Sequence, residues 1–226
     1  MNRRHDSAGG FSLVELLVGT VLFTIITGAV FSLLVSAQLR YQGESNVTET
    51  FQQANVAIDQ ITRDVHSAGY PPRNSLRKDV ADMHPEAYAL PFAWAPNYPF
   101  TPCSVGGSCT VPGPYDLIVE ADLGSGIQWI RYSLQGRTLL RGMARKEQFR
   151  DPVDATTGSL VPYLENVMNG DKSMAIFSYD QGVVLPSNIR QVNICLMVEA
   201  PRPDPQTGQY RMITLTGQAV RFNPNQ

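Results

Sequence analysis

The sequence predicts an α+β protein: a long N-terminal helix packed on a mostly antiparallel β-sheet domain. Three observations predict it. Residues 11–35 form an apolar run with one charge, Glu15. From Val47 the apolar residues Val47, Phe51, Ala54, Ile58, Ile61, Val65 and Ala68 recur in alternating steps of four and three, the period of one helix face. After Tyr115 the pattern becomes short apolar or alternating runs divided by Gly, Asn and Pro turns, the mark of paired strands.

The helix comes first. A helix over 11–35 spans roughly 37 Å, enough to cross a ~30 Å hydrocarbon core. No proline lies within 11–68, so the whole element can run unbroken for on the order of 87 Å. Its first half, 11–37, is apolar all round. Its second half, 38–69, is amphipathic, with Glu49, Gln52, Gln53, Asp59, Gln60, Arg63 and Asp64 expected on the polar face. Ala68-Gly69-Tyr70-Pro71-Pro72 ends it, with glycine past the last turn and two prolines after it. Gly19, Gly28 and Gly43 each weaken the helix by about 1 kcal/mol relative to alanine. Two uses stay open for them: close helix packing in a membrane, or local softness.

The rest, 70–226, is one domain. Residues 71–114 are rich in proline and glycine and carry Tyr88, Phe92, Trp94, Tyr98 and Phe100. They are expected to lie as a long ordered loop pinned to the domain by its aromatics. Strands follow at 116–121, 127–134 and 138–141, with turns at Gly124-Ser125-Gly126 and Gln135-Gly136. Three more are expected at 174–179, 189–199 and 210–222. Cys103 and Cys109 bracket Ser-Val-Gly-Gly-Ser, a connector able to close a small disulfide loop. The alternatives are two free thiols or a metal pair lacking other ligands. Cys195 lies in a strand-like run and is expected to be a buried, inert thiol.

Composition narrows the function class. Lys+Arg is 18 and Asp+Glu is 20 among 226 residues, a net charge of −2. That balance speaks against bulk nucleic-acid binding. Arg3 and Arg4 precede the apolar run, while Arg40, Glu44 and Glu49 follow it. The positive-inside tendency puts the N-terminus in the cytoplasm and the domain outside.

Reactive groups are scarce. His5 precedes the helix, His66 lies on it near Asp64, and His84 sits in Asp79-Val80-Ala81-Asp82-Met83-His84-Pro85-Glu86, a spacing that matches no zinc or EF-hand pattern. Gly124-Ser125-Gly126 lacks the lysine of a phosphate loop. No nucleophile elbow or Cys/His pair appears. The expectation is therefore a non-enzyme with no cofactor and no metal. Arg131, Arg137, Arg141, Arg145, Lys146 and Arg150 cluster within 131–150. They offer either a local DNA contact or, as the favoured reading, a solvated sheet edge whose charges block pairing.

Glu15 asks for a role, because a carboxylate inside a membrane span costs up to ~2.5–3.5 kcal/mol at mid-bilayer. Gly10-Phe11-Ser12-Leu13-Val14-Glu15 resembles the processing site of type IV pilins and type II secretion pseudopilins. The resemblance implies a leader, 1–10, removed by a prepilin peptidase between Gly10 and Phe11. It implies methylation of the new N-terminal Phe11. It implies assembly through the N-terminal helix, with Glu15 meeting the N-terminus of a neighbouring pilin. It further implies residence in the inner membrane with the domain in the periplasm, and later in a filament. Removing the leader takes out Arg3, Arg4 and Asp6 and leaves 16 basic and 19 acidic residues. Some members of that family bind calcium in a C-terminal loop. Asp151, Asp154 and Asp171 are the residues to consider here, with turn formation the favoured use.

Downstream, Tyr132-Ser133-Leu134, Leu139-Leu140-Arg141, Leu164-Glu165-Asn166-Val167 and Ile176-Phe177-Ser178-Tyr179-Asp180 resemble the PilW group of minor pilins and the J-type minor pseudopilins. This implies a minor subunit that helps initiate or cap a pilus, or alternatively a minor subunit of type II secretion. Three plainer readings compete. One is a simple membrane anchor with a stray Glu15. Another is a secretory signal ending at Val35-Ser36-Ala37, which the length of the apolar run and its charge oppose. The third is a membrane-anchored periplasmic enzyme.

Overall fold

The computed structural model describes residues 12–93, 113–148, 150–180 and 189–222. Helix α1 runs from Leu13 to Ser67, 55 residues without a break. Ser12 caps it. The Ser12 hydroxyl accepts from the Val14 N–H at 3.4 Å, and the Glu15 carboxylate accepts from the Ser12 N–H at 3.3 Å, a capping box. At the other end Gly69 takes φ +81°, which a side chain would resist. Its N–H donates to the Glu120 carbonyl at 2.8 Å, so the chain turns straight from the helix onto the sheet.

Among the described residues seven strands follow, and they form two antiparallel sheets rather than the single sheet expected. The first holds β1 (Asp116–Asp122), β2 (Ile127–Gln135), β3 (Thr138–Arg145) and β4 (Val161–Leu164) in that order. The second holds β5 (Phe177–Tyr179), β6 (Gln191–Glu199) and β7 (Met212–Val220). Both expected turns are present. Asp122 Oδ1 accepts from the N–H groups of Gly124 and Gly126 at 2.8 and 3.1 Å, and Gly136 takes φ +59° at the tight β2–β3 turn. The strand expected at 174–179 shrinks to three residues. β4 was not foreseen, because Pro162 inside it argues against a strand anywhere but at an edge. The stretch 71–93 is less irregular than expected. It holds 3-10 turns at Arg73–Ser75 and Pro85–Ala87 and a short helix α2, Lys78–Met83. Tyr88 and Phe92 are buried and pin it. A third helix, α3 (Pro152–Thr157), starts at Asp151, whose carboxylate accepts from the N–H groups of Val153 and Asp154.

The core lies between the second half of α1 and both sheets. Ala54, Ala57, Ile58, Ile61 and Val65 join Leu117, Ile130, Ile194, Leu196 and Val198 in one buried cluster. The predicted stripe holds from Ala54 to Ala68 and shifts below it. Phe51 is 45% exposed and Thr50 is buried in its place. Close approach explains the shift. A Cβ on Gly217 of β7 would stand 2.5 Å from Ile58 Cγ2, so small residues let the helix sit on the strand, and a phenyl ring fits only at the rim.

Candidate functional site

The lower half of α1 stands alone. Every residue from Ser12 to Gln38 is exposed, including Leu13 at 80%, Phe23 at 71% and Leu33 at 71%. This helix is long and apolar enough to cross a membrane. Its polar side chains are muted. Thr20 Oγ1 donates to the Leu17 carbonyl at 2.9 Å and Thr24 Oγ1 to the Thr20 carbonyl at 2.7 Å, turning both hydroxyls back onto the backbone. Glu15 is the one carboxylate on this surface, and its bond to the Ser12 N–H is long and solvent-exposed. Gly19 and Gly28 have no neighbour within 4 Å.

Cover begins at Gly43. The loop between β6 and β7 reaches down to it, and Pro205 Cδ lies 3.5 Å from where a Gly43 Cβ would be. Arg211 ties the loop to the helix, with Nη1 3.0 Å from Glu44 Oε1 and Nη2 2.6 Å from Asp204 Oδ2. The Gln206 N–H, then the Thr207 N–H and Arg211, hold the Asp204 carboxyl below its ordinary value.

Two buried ionic groups lie in the folded domain, and one of them fastens the upper half of α1. Asp64 was expected on the polar face of α1; the structure buries it. Asp64 Oδ2 accepts from the Tyr132 hydroxyl at 2.5 Å and from Arg141 Nη2 at 3.0 Å, while Gln60 Nε2 donates to Oδ1 at 2.9 Å. Burial pushes the Tyr132 phenol up, and the Asp64 carboxylate pushes it further, so the hydroxyl stays a donor. Spacing carried the signal that was missed: Asp64 lies three residues after Ile61, on the stripe itself. In the second group Glu120 is fully buried. It accepts from Lys146 Nζ and Trp129 Nε1, each at 2.8 Å, and from the Leu90 N–H at 2.7 Å. Burial pushes the Glu120 carboxyl up, and the Lys146 ammonium opposes that shift.

These groups dissolve the basic cluster expected at 131–150. Arg131 pairs with Asp116, Arg137 with Asp171 and Glu199, Arg141 with Asp64, Lys146 with Glu120 and Arg150 with Glu147. Arg131 and Lys146 are buried. Three of the six, Arg131, Arg141 and Lys146, thus neutralise carboxylates inside the fold, Arg137 and Arg150 pair on the surface, and Arg145 is exposed.

Of the residues singled out from the sequence, Glu15 is placed at the helix start. Gly10, Phe11, Cys103 and Cys109 lie outside the described residues. Cys195 is half-exposed rather than buried, on the outer face of β6, 3.6 Å from Met174 Sδ. Alternation along β6 puts it opposite the buried row Val192, Ile194, Leu196 and Val198. His66 stacks on Phe222 with ring centroids 4.6 Å apart. His84 Nδ1 lies 3.0 Å from Glu86 Oε1 on the surface. Among the described residues no three His, Cys, Asp or Glu side chains converge as metal ligands would. No family model matches the sequence, and no curated protein or solved structure matches it.

Proposed function

We propose that this chain is a minor type IV pilin, a structural subunit cut between Gly10 and Phe11 that helps start or cap a filament. The observation that carries the reading is the division of one unbroken helix. Its first half is uncovered hydrocarbon with a single carboxylate at the start, and its second half is bolted to a folded domain. Such a helix waits in a bilayer and later trades lipid for the helices of other subunits. After cleavage the α-amino group of Phe11 is a cation four residues from Glu15. The exposed bond from Glu15 to the Ser12 N–H is easily given up, so the carboxylate is free to meet a neighbour's ammonium and set the register between subunits.

The test is the N-terminal peptide of the protein from its native membrane. A chain starting at Phe11 with one added methyl is expected. A start at Gln38 or an uncut Met1, in cells with an active prepilin peptidase, would overturn the reading. Glu15→Ala should leave processing and domain unfolding unchanged while impairing entry into filaments.

A further inference from the structure

Among the described residues the two sheets present four edges, and three are blunted. β1 is flanked by the segment before it, through bridges Tyr70 to Ala121 and Phe92 to Val119. β4 is four residues long and contains Pro162. β5 is three residues long, and the Phe177 N–H donates to the Pro114 carbonyl. The fourth edge, β7, is different. It runs nine residues, Met212–Val220, in unbroken register with β6, and carries no charge and no proline. Among the described residues its backbone has no hydrogen-bond partner beyond the β6 ladder. Folds ordinarily protect such an edge with charges, proline, bulges or cover.

The ground beside this edge is also unfinished. The helix-facing row of β7 includes Ile213 and Leu215, both only half-buried. Phe51, 45% exposed, lies two helical turns below Ile58 on the same side of α1. Ile58 meets Gly217, and Glu44 meets Arg211, so Phe51 stands level with Ile213 and Leu215. The outer row, Met212, Thr214, Thr216, Gln218 and Val220, is exposed and uncharged.

We propose that β7 receives an added strand: an extended, uncharged segment of a different polypeptide, whose alternate apolar side chains close over Phe51, Ile213 and Leu215. A second copy pairing through its own β7 does not fit, a step that rests on α1 spanning a membrane. α1 and β7 run in the same direction, since Glu44, Ile58 and His66 meet Arg211, Gly217 and Phe222 in turn. Two β7 strands paired antiparallel would aim their helices in opposite directions, and one bilayer cannot hold both. Two paired parallel about a two-fold axis along the strands would set each residue against its twin on the opposite face, which breaks the match of pleats.

The test uses the full chain in its native membranes, with a photo-crosslinking residue at Thr216 and, as control, at exposed Val161 on β4. One adduct of defined mass, other than twice the chain, is expected at 216 and none at 161. Thr214→Lys with Gln218→Lys should abolish it, with Gln218→Lys alone as the milder variant; unchanged amide exchange in β6 reports that the sheet is intact. The amides of Met212–Val220 should exchange more slowly in membranes than after purification in detergent. An adduct of twice the chain mass, equal adducts at both positions, or equal exchange in both preparations would overturn the proposal. The N-terminus of Phe11, read on the same sample, reports separately on the pilin assignment.

Discussion

The two halves of α1 share one backbone and almost nothing else. Leu33 and Ile61 are both large aliphatic residues in the same helix; the first is 71% exposed and the second fully buried. Above Gly43 the helix takes its stability from a core and from the buried Asp64 group. Below it, only lipid or other helices could supply what the domain does not. A helix can thus belong to a domain at one end and be spare at the other, with the changeover marked by a single residue seated under Pro205.

The sharpest way to break that contrast is to make the same cut on both sides of Gly43. In the full chain in detergent, Ile61→Ala should cost the domain about 4 kcal/mol in denaturant unfolding, and Leu33→Ala less than about 0.5 kcal/mol. Equal costs would mean the halves are energetically one body. Asp64→Ala should follow at about 3 kcal/mol, since it leaves Arg141 and the Tyr132 hydroxyl without their shared acceptor. Gly217→Ala drives a methyl into Ile58 and should cost about 1–2 kcal/mol. Ile58→Ala, which removes the γ methyl in the way, should recover part of it in a double-mutant cycle, because the two positions touch. The smallest effect belongs to the loop at the changeover. The Asp204 carboxyl sits below its ordinary value of 3.8. Its ionised form is therefore favoured by folding, the contribution is intact at neutral pH, and it fades as pH falls from 3.8 through the lowered value. Amide exchange in 201–209 should quicken there while β6 holds, and Asp204→Asn should remove the step.

Local chemistry explains what the sequence disclosed. The unbroken helix, the Gly69 stop and the Gly124 and Gly136 turns depend on neighbours a few residues away, and all were legible. So was the α+β class. What escaped depends on distant partners. Asp64 looked like a surface residue until Tyr132 and Arg141 arrived from two strands to satisfy it. Arg131 of β2 and Arg141 of β3 read as part of a basic cluster until Asp116 and Asp64 meet them from other elements, while Arg145 stays exposed. The division into two sheets turns on where Val167 and Asn169 attach. Val167 bridges to Val198, and buried Asn169 gives its amide to the Cys195 carbonyl and takes the Met197 N–H, contacts that periodicity does not encode. The Ser12–Glu15 capping box is written in its spacing, a serine three residues before a glutamate at the head of an apolar run.

The Ile58–Gly217 contact joins opposite ends of the chain, and this sets an order of events. α1 emerges early, with Ala54, Ile58 and Ile61 turned toward a surface that does not yet exist. β6 and β7 leave the ribosome well after it. Until they pair, the upper helix offers a greasy flank to anything in reach, and closing such long-range contacts is slow. The nascent chain therefore has a vulnerable interval that ends only when β7 arrives, and a chain truncated before Met212 would never leave it.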